Sequence, residues 1–522
     1  MKNVKILDCT LRDGGYYTNW NYDKNLVNDY LNCMNDLNID FVEIGLKGSS
    51  KDKDFGSFAY TEEKLINKLN KPSKLKISIM INATDIKNQK FLNEIPNKKK
   101  SKVVLYRIAT HFRDIDKSIQ TGNYLKKKGY LIGINLMQIS SYDFQKLNEV
   151  IKKINKTNFD FVYIADSFGS MNGKETQKII ETIKKNTNKK IGVHMHDNQG
   201  LALHNTIMAA DSGIKIADAT IMGMGRGPGN VKTEELVFIK DKFNEQKFYK
   251  LSALINKHFL TLKKNYLWGA NTYYYYSGAK KIHPTYVQNM LSDESYNHNK
   301  IFSTLKSLNR NDIKKYNPNI INEFKNKNSS RNENELNKFL KAKNFLILGP
   351  GKSVIKYKFQ IEKFIKSKNL YVLALNSTNS INSNLIKARS VSNTFKFWSE
   401  LNKIKKLKQP IILPSFFVNN QTSKILKKKK LLFYDFEVTS NLFSVNKNKC
   451  KIPKDLVLCY ALSLAIKSKA KNIFCAGLDG YDKSEENKNV DVNIVISQFK
   501  ANLKRKLISL TPTKYDLESA II

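Results

Sequence analysis

Short β-rich runs alternate with longer amphipathic segments along the first part of this chain, and this rhythm constrains its fold more than any other feature. The two patterns follow each other about eight times between residues 4 and 221. Such alternation is typical of a (β/α)8 TIM barrel, although rhythm alone also permits an open doubly wound sheet. The helical patterns include Asn25–Leu37 and Lys174–Lys185. The predicted strands are Val4–Asp8, Phe41–Gly45, Leu75–Ile81, Val103–Ile108, Leu131–Gln138, Phe161–Ala165, Ile191–His196 and Ile216–Ile221.

A second α/β rhythm follows a change in composition. The chain has 522 residues, more than one hydrophobic core usually organises, so we expect two domains. Residues from about 290 to 338 are rich in Asn, Lys and Ser. We therefore predict an α/β protein with a TIM barrel at 1–288, a helical appendage and linker at 289–340, and a smaller Rossmann-like domain at 341–522. The elements predicted in the last domain are strands Phe345–Leu348, Tyr371–Leu375, Ile411–Leu413 and Ile473–Gly477 and the helix Lys454–Lys467.

The chain is strongly basic, with 89 Lys and Arg against 46 Asp and Glu and a net charge of +43. A nucleic-acid or anionic-membrane partner is one interpretation. However, the excess is nearly all lysine, it spreads along the whole chain, and no zinc-finger or helix-turn-helix pattern accompanies it. We interpret it as compositional bias that favours anionic ligands, and keep a basic nucleic-acid-binding protein as an alternative.

Other bulk features indicate a cytoplasmic protein without a membrane span. No stretch approaches the ~20 consecutive apolar residues that cross a bilayer, and the N-terminus MKNVKILDCTLRDGG has no apolar signal core. The five cysteines are scattered and form no CxxC pair, which is typical of reduced thiols.

A histidine pair ends the seventh predicted strand. Side chains two residues apart on a strand point to the same side, so His194 and His196 face one cavity. Asp13 follows the first strand, at the same end of the barrel, where barrel active sites are built. Two imidazoles and one carboxylate suit a divalent ion such as Mn²⁺ or Mg²⁺. The pair alone could equally be the polar end of a strand; Asp13 favours the metal site.

Two further features lie at this end. Arg12 precedes Asp13, and its guanidinium could hold the carboxylate and the enolate oxygen of a 2-oxo acid. A glycine-rich loop, Gly223 to Asn230, follows the eighth strand, where such turns often bind anionic groups. Asn230 could reach the metal or a water bound to it.

Five motifs together resemble the DRE-TIM metallolyase superfamily: DCTLRDGG, RIATHF, YIADSFGSM, HMHDNQGLALHN and the GxGRGPGN loop. Its members include 3-hydroxy-3-methylglutaryl-CoA lyase, isopropylmalate synthase and 4-hydroxy-2-oxovalerate aldolase. The resemblance covers residues 1 to about 290, with the motifs in the right order. Arg107–Phe112 and Ala165–Met171 are most similar to the 4-hydroxy-2-oxovalerate aldolases.

The resemblance implies roles for particular residues. Arg12 would stabilise the enolate, Ser167 would lie near the oxo-acid carboxylate, and Tyr276 approximately matches a tyrosine near the reacting hydroxyl. The implied metal ligands are Asp13, His194 and His196, with Asn230 as a fourth, weaker one.

The chain departs from these aldolases at the acid/base. They carry a histidine shortly after RDG, where this chain has Tyr16. A tyrosine could serve if a nearby metal or Arg12 lowered its pKa. His111 and His283 are rival candidates, although either could be an ordinary packing histidine, so the acid/base stays open at this point.

The expected function is a divalent-metal-dependent aldolase that forms or cleaves a 4-hydroxy-2-oxo acid to pyruvate and an aldehyde. Mn²⁺ is the expected metal, with Mg²⁺ and Co²⁺ as alternatives, and the substrates are a small 2-oxo acid and an aldehyde. A Claisen-type acyl-CoA condensing enzyme on the same barrel is the alternative within enzymes. A homo-oligomer is compatible with the sequence.

The C-terminal part contains the turn Gly349-Pro350-Gly351 after a strand. The sequence LGPGKS lacks the first glycine of a P-loop, but a strand, a glycine-rich turn and a helix can still bind a nucleotide diphosphate. LGPGKSV and the late segment FCAGLDGY are similar to family-42 sialyltransferases, which implies a nucleotide-sugar ligand and a role in surface-polysaccharide biosynthesis. Gly349, Gly351 and Asn376 are the candidate nucleotide-site residues; a plain tight turn is the alternative.

Overall fold

The structure, a computed structural model, describes residues 1–522 except 49–53, 87–88, 294–295, 309–315, 318–332, 419–424, 440–442, 448, 483–485 and 504–505. The chain divides into two compact units. Unit 1 comprises Met1–Ser292 and Asn309–Tyr316, and unit 2 comprises Asp293–Leu308 and Asn317–Ile522. The helix His298–Ser307, inside the predicted appendage, belongs to unit 2. Residues 294–295, 309–315 and 318–332 of the predicted appendage and linker lie outside the described residues.

Eight parallel strands close into a barrel in unit 1, in chain order. The first strand pairs with the eighth from Lys5–Ile216 to Asp8–Ala219, and this pairing closes the ring. The open doubly wound sheet is therefore excluded for this unit, and the TIM barrel is confirmed. The strands are β1 (Lys5–Asp8), β2 (Phe41–Leu46), β3 (Lys76–Asn82), β4 (Val103–Thr110), β5 (Leu131–Leu136), β6 (Phe161–Asp166), β7 (Lys190–Met195) and β8 (Ile216–Ala219).

The longer helices between the strands cover the outside of the barrel, each with an apolar stripe. In Phe144–Asn155 the buried side chains are Leu147, Val150, Ile151 and Ile154, the spacing of one helix face. Asp143 caps the N-terminus of this helix, because its carboxylate accepts the Lys146 N–H at 2.7 Å. The other α-helices of unit 1 are Thr10–Asp13, Gly15–Thr18, Lys24–Asp36, Glu63–Lys68, Gln89–Asn93, Ile115–Lys127, Gly173–Lys184, Ala202–Asp211, Thr233–Asp241, Glu245–Leu254, Leu260–Tyr266, Thr272–Ala279 and Thr285–Leu291.

Unit 2 is built on an eight-stranded sheet in the order β13-β12-β11-β10-β9-β17-β18-β19, in which every pair is parallel. This confirms an additional α/β sheet domain. A small sheet of order β14-β16-β15 accompanies it. The strands are β9 (Asn344–Leu348), β10 (Tyr371–Leu375), β11 (Ile386–Ser390), β12 (Ile411–Leu413), β13 (Leu431–Phe433), β14 (Asp435–Val438), β15 (Ser444–Val445), β16 (Lys449–Ile452), β17 (Asn472–Ala476), β18 (Leu507–Ser509) and β19 (Glu518–Ser519).

The α-helices of unit 2 pack on this sheet. Val457–Lys467 is buried over most of its length, which makes it the central helix of the unit's core. The others are His298–Ser307, Glu333–Phe339, Ser353–Lys356, Lys358–Ser367, Thr394–Ser399, Leu401–Lys406 and Glu486–Leu503.

Two further observations bear on the bulk expectations. All five cysteines are buried free thiols. None of the described helices is both long enough and apolar enough to cross a membrane.

Candidate active site

The loop after β1 brings Arg12 and Asp13 into the mouth of the barrel. The chain turns at once into the short helix Thr10–Asp13, and both side chains are buried. Trp20 fixes this turn, since its indole N–H donates to the Arg12 carbonyl at 2.8 Å. Gly15 is required there, because a Cβ at this position would lie 2.1 Å from the Trp20 ring.

His194 and His196 lie at the end of β7 with their rings together, as the spacing predicts. His194 is in the strand and His196 follows its last residue. Their ring centroids are 4.9 Å apart, and both side chains are buried. His196 also forms an isolated bridge with Asn230, which brings the loop after β8 to the same place.

One ligand atom from each of Asp13, His194 and His196 lies within 4.8 Å of the others, so the three side chains could hold a metal ion. His194 Nδ1 lies 2.9 Å from Asp218 Oδ2, which turns Nε2 towards Asp13 Oδ2 at 3.5 Å. A histidine held by a carboxylate on one nitrogen is oriented to bind a metal with the other. His196 Nδ1 is buried and has no hydrogen-bond partner among the described residues. The donors and their spacing therefore fit a divalent ion.

Asn230 sits beside this cluster. Its Nδ2 donates to Asp13 Oδ2, while its Oδ1 is buried without a hydrogen-bond partner in the described part of the chain. Gly225 allows this approach, because a Cβ there would lie 2.6 Å from Asn230 Nδ2 and 2.9 Å from Asp13 Oδ2. The Asn230 side chain is thus held against Asp13, with its own carbonyl oxygen Oδ1 unsatisfied among the described residues.

A second group of side chains that could each supply a metal ligand also lies close together: Cys9, His194 and Asp218. Burial raises the pKa of the Cys9 thiol well above its ordinary value, which keeps it protonated. Its Sγ donates to the Ala219 carbonyl at 3.5 Å, and Asp218 is already paired with Arg107 at 2.6 Å. The group of Asp13, His194 and His196 is therefore the better candidate for the metal.

Three buried charged residues that we did not predict, Glu43, Arg107 and Asp218, support the site. Arg12 donates through Nε to Glu43 at 2.7 Å and lies 2.5 Å from Asp13 through Nη1. Arg107 donates to both Glu43 oxygens at 2.6 and 2.7 Å and to Asp218 at 2.6 Å. Each of the three, Glu43, Arg107 and Asp218, interrupts an otherwise apolar buried strand, which is the signal in the sequence that marks them.

This network sets the charge states at the site. Burial opposes ionisation of Asp13, but the charge of Arg12 outweighs it and holds the pKa of Asp13 well below the ordinary value. Burial also opposes ionisation of Glu43, but the charges of Arg107 and Arg12 outweigh it and lower the pKa of Glu43. Burial, with His194 next, lowers the pKa of His196 well below its usual range. The cluster consequently presents a carboxylate and a neutral imidazole, the forms that bind a metal.

The cluster opens into a cavity of about 30 Å³ at the centre of the barrel mouth. Arg12 Nη2 is buried beside it and has no partner among the residues described. Ser167 lies on its wall, and the Ser167 hydroxyl accepts the Gln138 N–H at 3.0 Å. Tyr16 also lines the cavity, and the Arg226 guanidinium lies 5.4 Å from the centre of its ring.

Three other predicted catalytic residues do not line this cavity in the described structure. His111 immediately follows β4. His283 precedes helix Thr285–Leu291; burial, then Arg226, lowers its pKa well below the ordinary value. Tyr276 is part-buried on helix Thr272–Ala279, and burial raises its pKa. Among these candidates, Tyr16 is thus the one that lines the same cavity as the cluster.

In unit 2, two of the three predicted nucleotide-site residues, Gly351 and Asn376, line a large cavity. Gly349 lies one residue before the lining segment and has a packing role instead. A Cβ there would lie 2.4 Å from the Gly477 carbonyl oxygen, because the ends of β9 and β17 approach closely.

Comparisons with known proteins agree with the barrel. The family model described as HMGL-like matches residues 3–256. The 4-hydroxy-2-oxovalerate aldolase of Carboxydothermus hydrogenoformans is 32% identical over 251 residues, which cover 46% of this chain and 71% of the relative. The chain belongs to the HMGL-like family. The 4-hydroxy-2-oxovalerate aldolase of Geobacillus genomosp. 3 is 30% identical over 241 residues, covering 45% of this chain and 70% of that protein.

A solved structure supports the same assignment to the HMGL-like family. The N-terminal domain of a candidate aldolase from Bacteroides vulgatus is 36% identical, with a TM-score of 0.51, and the match covers 55% of this chain and 97% of that domain. The N-terminal barrel of this HMGL-like protein is therefore a lyase of the aldolase type.

Proposed function

We propose that unit 1 is a divalent-metal-dependent aldolase that forms or cleaves a 4-hydroxy-2-oxo acid, with pyruvate and an aldehyde as the smaller partners. The observation that carries this proposal is the group of Asp13, His194 and His196, whose ligand atoms lie within 4.8 Å of one another, beside the guanidinium of Arg12. The names of the relatives point to the same reaction.

Asp13, His194 and His196 would hold the ion, with Asn230 Oδ1 as a fourth donor. When bound, a divalent ion supplies Lewis-acid polarisation of the oxo and carboxylate oxygens of a 2-oxo acid. Two imidazole nitrogens and oxygen donors suit Mn²⁺, our first choice, and accommodate Mg²⁺ or Co²⁺.

Arg12 is proposed to stabilise the negative charge that develops on the enolate oxygen. Its Nε and Nη1 are engaged by Glu43 and Asp13, and its Nη2 carries the donors that remain for a ligand. Because Glu43 holds the guanidinium in place before the substrate arrives, the positive charge needs no reorganisation during the reaction. Ser167 is proposed to lie at the carboxylate of the oxo acid.

Tyr16 is proposed to carry the proton of the reacting hydroxyl. Aldol cleavage needs a base that removes this proton as the carbon–carbon bond breaks, and the reverse reaction needs an acid. Tyr16 lines the cavity, and the Arg226 guanidinium lies 5.4 Å from the centre of its ring. His111 and His283 become the candidates if Tyr16→Phe keeps full activity.

We further propose that the aldehyde is a sugar or sugar-derived compound, which would place the enzyme in surface-polysaccharide biosynthesis. Two features favour a partner different from that of the relatives. Tyr16 stands where the family motif has a histidine, and a second α/β unit with its own cavity is fused to the barrel.

The test is deuterium exchange at the methyl group of pyruvate, followed by NMR in D2O with Mn²⁺ and the full chain. We expect exchange with the wild type and with Asp116→Ala, a matched control that removes an exposed aspartate paired with Lys153. We expect Asp13→Ala to reduce the exchange to that of Mn²⁺ alone, because the ligand set is broken.

Exchange that persists at the wild-type rate in Asp13→Ala would contradict the assigned site. If the wild type catalyses no exchange with Mn²⁺, Mg²⁺ or Co²⁺, the proposed aldolase function is wrong. A Claisen-type condensing enzyme then becomes the leading alternative, to be assayed with acetyl-CoA and a 2-oxo acid.

A further inference from the structure

Unit 2 contains a cavity of about 1090 Å³ whose walls come entirely from residues of that unit. Its floor is formed by the segments that follow β9 and β17, namely Pro350 to Lys352 and Gly477 to Asp482. This volume is slightly above the ~300–1,000 Å³ that is usual for small-molecule sites. A metabolite of nucleotide size therefore fits in it.

The cavity lies at the point where the order of the sheet reverses. From β9 the chain proceeds through β10 and β11 towards β13 on one side, and after β17 it proceeds through β18 to β19 on the other. The connections after β9 and β17 therefore leave in opposite directions and open a crevice at the carboxyl ends of the strands. In doubly wound sheets this crevice is where ligands bind.

The two segments that form the crevice are clamped together. Asp479 accepts the Ser353 N–H at 2.8 Å and also the Ser353 hydroxyl. Gly351 permits this contact, since a Cβ there would lie 2.3 Å from an Asp479 oxygen. Both Asp479 oxygens are thereby engaged within the protein.

Asn376 lies at the end of β10 on the wall of the cavity, in a conformation that needs support. Its φ of 52° is in the left-handed region, and its Oδ1 is buried without a hydrogen-bond partner among described residues. The buried Arg389 holds the following loop by donating to the Thr378 carbonyl at 2.5 Å and to Asn379 Oδ1 at 3.1 Å. A strained, supported residue with a free acceptor is typical of a ligand site.

A second acceptor on the wall is also unsatisfied. Asp455 receives the Asn299 amide on one oxygen, while its Oδ1 is buried without a partner in the described chain. Acceptors of this kind suit the hydroxyl groups of a ribose or the amino group of a base.

The remaining lining supplies positive charge and aromatic surface. Four lysines line the cavity, among them the exposed Lys352 at the turn after β9. Phe395, which contacts Phe302, and Tyr481, which lies under Lys488, are still 45% and 37% exposed, so part of each ring remains available for stacking on a base. Cations, aromatic faces and hydroxyl acceptors correspond to the phosphates, base and ribose of a nucleotide.

We propose that this cavity binds a nucleoside diphosphate, either free or linked to a sugar. Lys352 is assigned to the phosphates, and Asn376 accepts a hydrogen bond from the ribose or the base. The proposal stands on unit 2 alone and does not depend on the aldolase activity of unit 1.

Isothermal titration of the full chain with ADP, GDP, CDP and UDP tests the proposal. We expect at least one to bind with a dissociation constant below about 100 μM, and inorganic pyrophosphate and the matching nucleoside to bind much more weakly. The sugar-linked form of the best nucleotide is titrated next. Tighter binding identifies a nucleotide-sugar, and weaker binding identifies a free nucleotide.

Two variants assign the site. Asn376→Gly suits the positive φ and removes only the amide, and Lys352→Ala removes a cation; each should weaken binding about fivefold or more. Lys363→Ala, an exposed lysine on the helix Lys358–Ser367, is the matched control and should bind like the wild type. Asp13→Ala, which breaks the barrel cluster, should also bind normally.

The proposal is overturned if none of the four nucleotides binds tighter than about 1 mM, or if pyrophosphate binds as tightly as they do. It is also overturned if both Asn376→Gly and Lys352→Ala, folded by circular dichroism, bind as the wild type does. Loss of binding in Asp13→Ala would place the nucleotide in the barrel and would equally contradict it.

Discussion

Glu43 is the residue on which the geometry of the barrel site depends. Its two oxygens are shared by Arg12 and Arg107, and all three side chains are buried. Two guanidiniums in one apolar interior would repel each other without this carboxylate, because charges away from water interact strongly. Arg12 can therefore point a spare nitrogen into the cavity only because Glu43 holds the other side of its guanidinium.

Arg12→Lys should keep the metal and lose most of the activity. A lysine retains the charge but cannot contact Asp13, Glu43 and a substrate in one plane. We expect kcat to fall about 10²–10³-fold, as for removal of one preorganised donor, with Mn²⁺ affinity by equilibrium dialysis nearly unchanged. Arg113→Lys is the control, since Arg113 is 61% exposed. Normal turnover in Arg12→Lys would contradict the enolate role.

Glu43→Gln should destabilise the barrel strongly. The change leaves two buried guanidiniums without their shared carboxylate, which costs about 3–5 kcal/mol of unfolding free energy. Urea unfolding at pH 7 measures this. Glu235→Gln, which breaks a surface pair with Lys232, should cost less than about 1 kcal/mol. If Glu43→Gln also cost less than about 1 kcal/mol of unfolding free energy, the ion pairs of Glu43 with Arg12 and Arg107 would not stabilise the barrel.

The difference in unfolding free energy between the wild type and Glu43→Gln should depend on pH. The pKa of Glu43 is lowered on folding, because Arg107 and Arg12 outweigh burial. Its stabilisation is therefore present above the ordinary glutamate value of 4.5 and is lost as pH falls through the lower, folded value. The difference between wild type and Glu43→Gln should narrow in acid and stay constant above pH 4.5.

At the scale of elements, local patterns predicted the bounds of several apolar strands correctly. Tyr371–Leu375 and Ile411–Leu413 agree with β10 and β12 at both ends, and the predicted helix Asn25–Leu37 is observed as Lys24–Asp36. The strands β11, β13 and β18 were not predicted. β11, IKARS, is interrupted by the charged Arg389. β13 (LLF) and β18 (LIS) have fewer β-branched residues than the equally short β12 (IIL), and β-branched residues are the ones that favour strands.

Gly349→Ala tests the close approach of β9 and β17. The new methyl group would meet the Gly477 carbonyl oxygen at 2.4 Å, so one of the two strand ends must move. Overpacking of this kind costs about 1–3 kcal/mol, and we expect unit 2 to unfold at correspondingly lower denaturant concentration. Lys363→Ala should leave the unfolding midpoint unchanged. A midpoint equal to the wild type in Gly349→Ala would mean that the turn relaxes freely.

At the scale of the whole molecule, the chain combines two α/β units with separate cavities and a net charge of +43. Both cavities contain cationic side chains among their walls, Arg12 and Arg226 in the barrel and four lysines in unit 2. A basic surface raises the local concentration of anionic metabolites, which suits a 2-oxo acid and a nucleotide alike.

Mn²⁺ should stabilise unit 1 specifically. A ligand that binds only the folded state adds about 2.7 kcal/mol when present at a hundred times its dissociation constant. In calorimetry of the full chain we expect Mn²⁺ to raise the barrel transition in the wild type and in Asp116→Ala. His196→Ala should show no such rise, since one of the three ligands is missing. An equal rise in His196→Ala would place the ion elsewhere.

The sequence by itself determined the features that depend on neighbours along the chain. Eight strand–helix alternations predicted the barrel, and two-residue spacing put His194 and His196 on one side of β7. Only the tertiary structure decided which distant residues complete the site. Glu43 meets Arg107, and Arg107 meets Asp218, across 64 and 111 residues of chain, and β17 returns to pair with β9. No local spacing encodes these contacts, because they form only when the barrel closes and the sheet reverses its order.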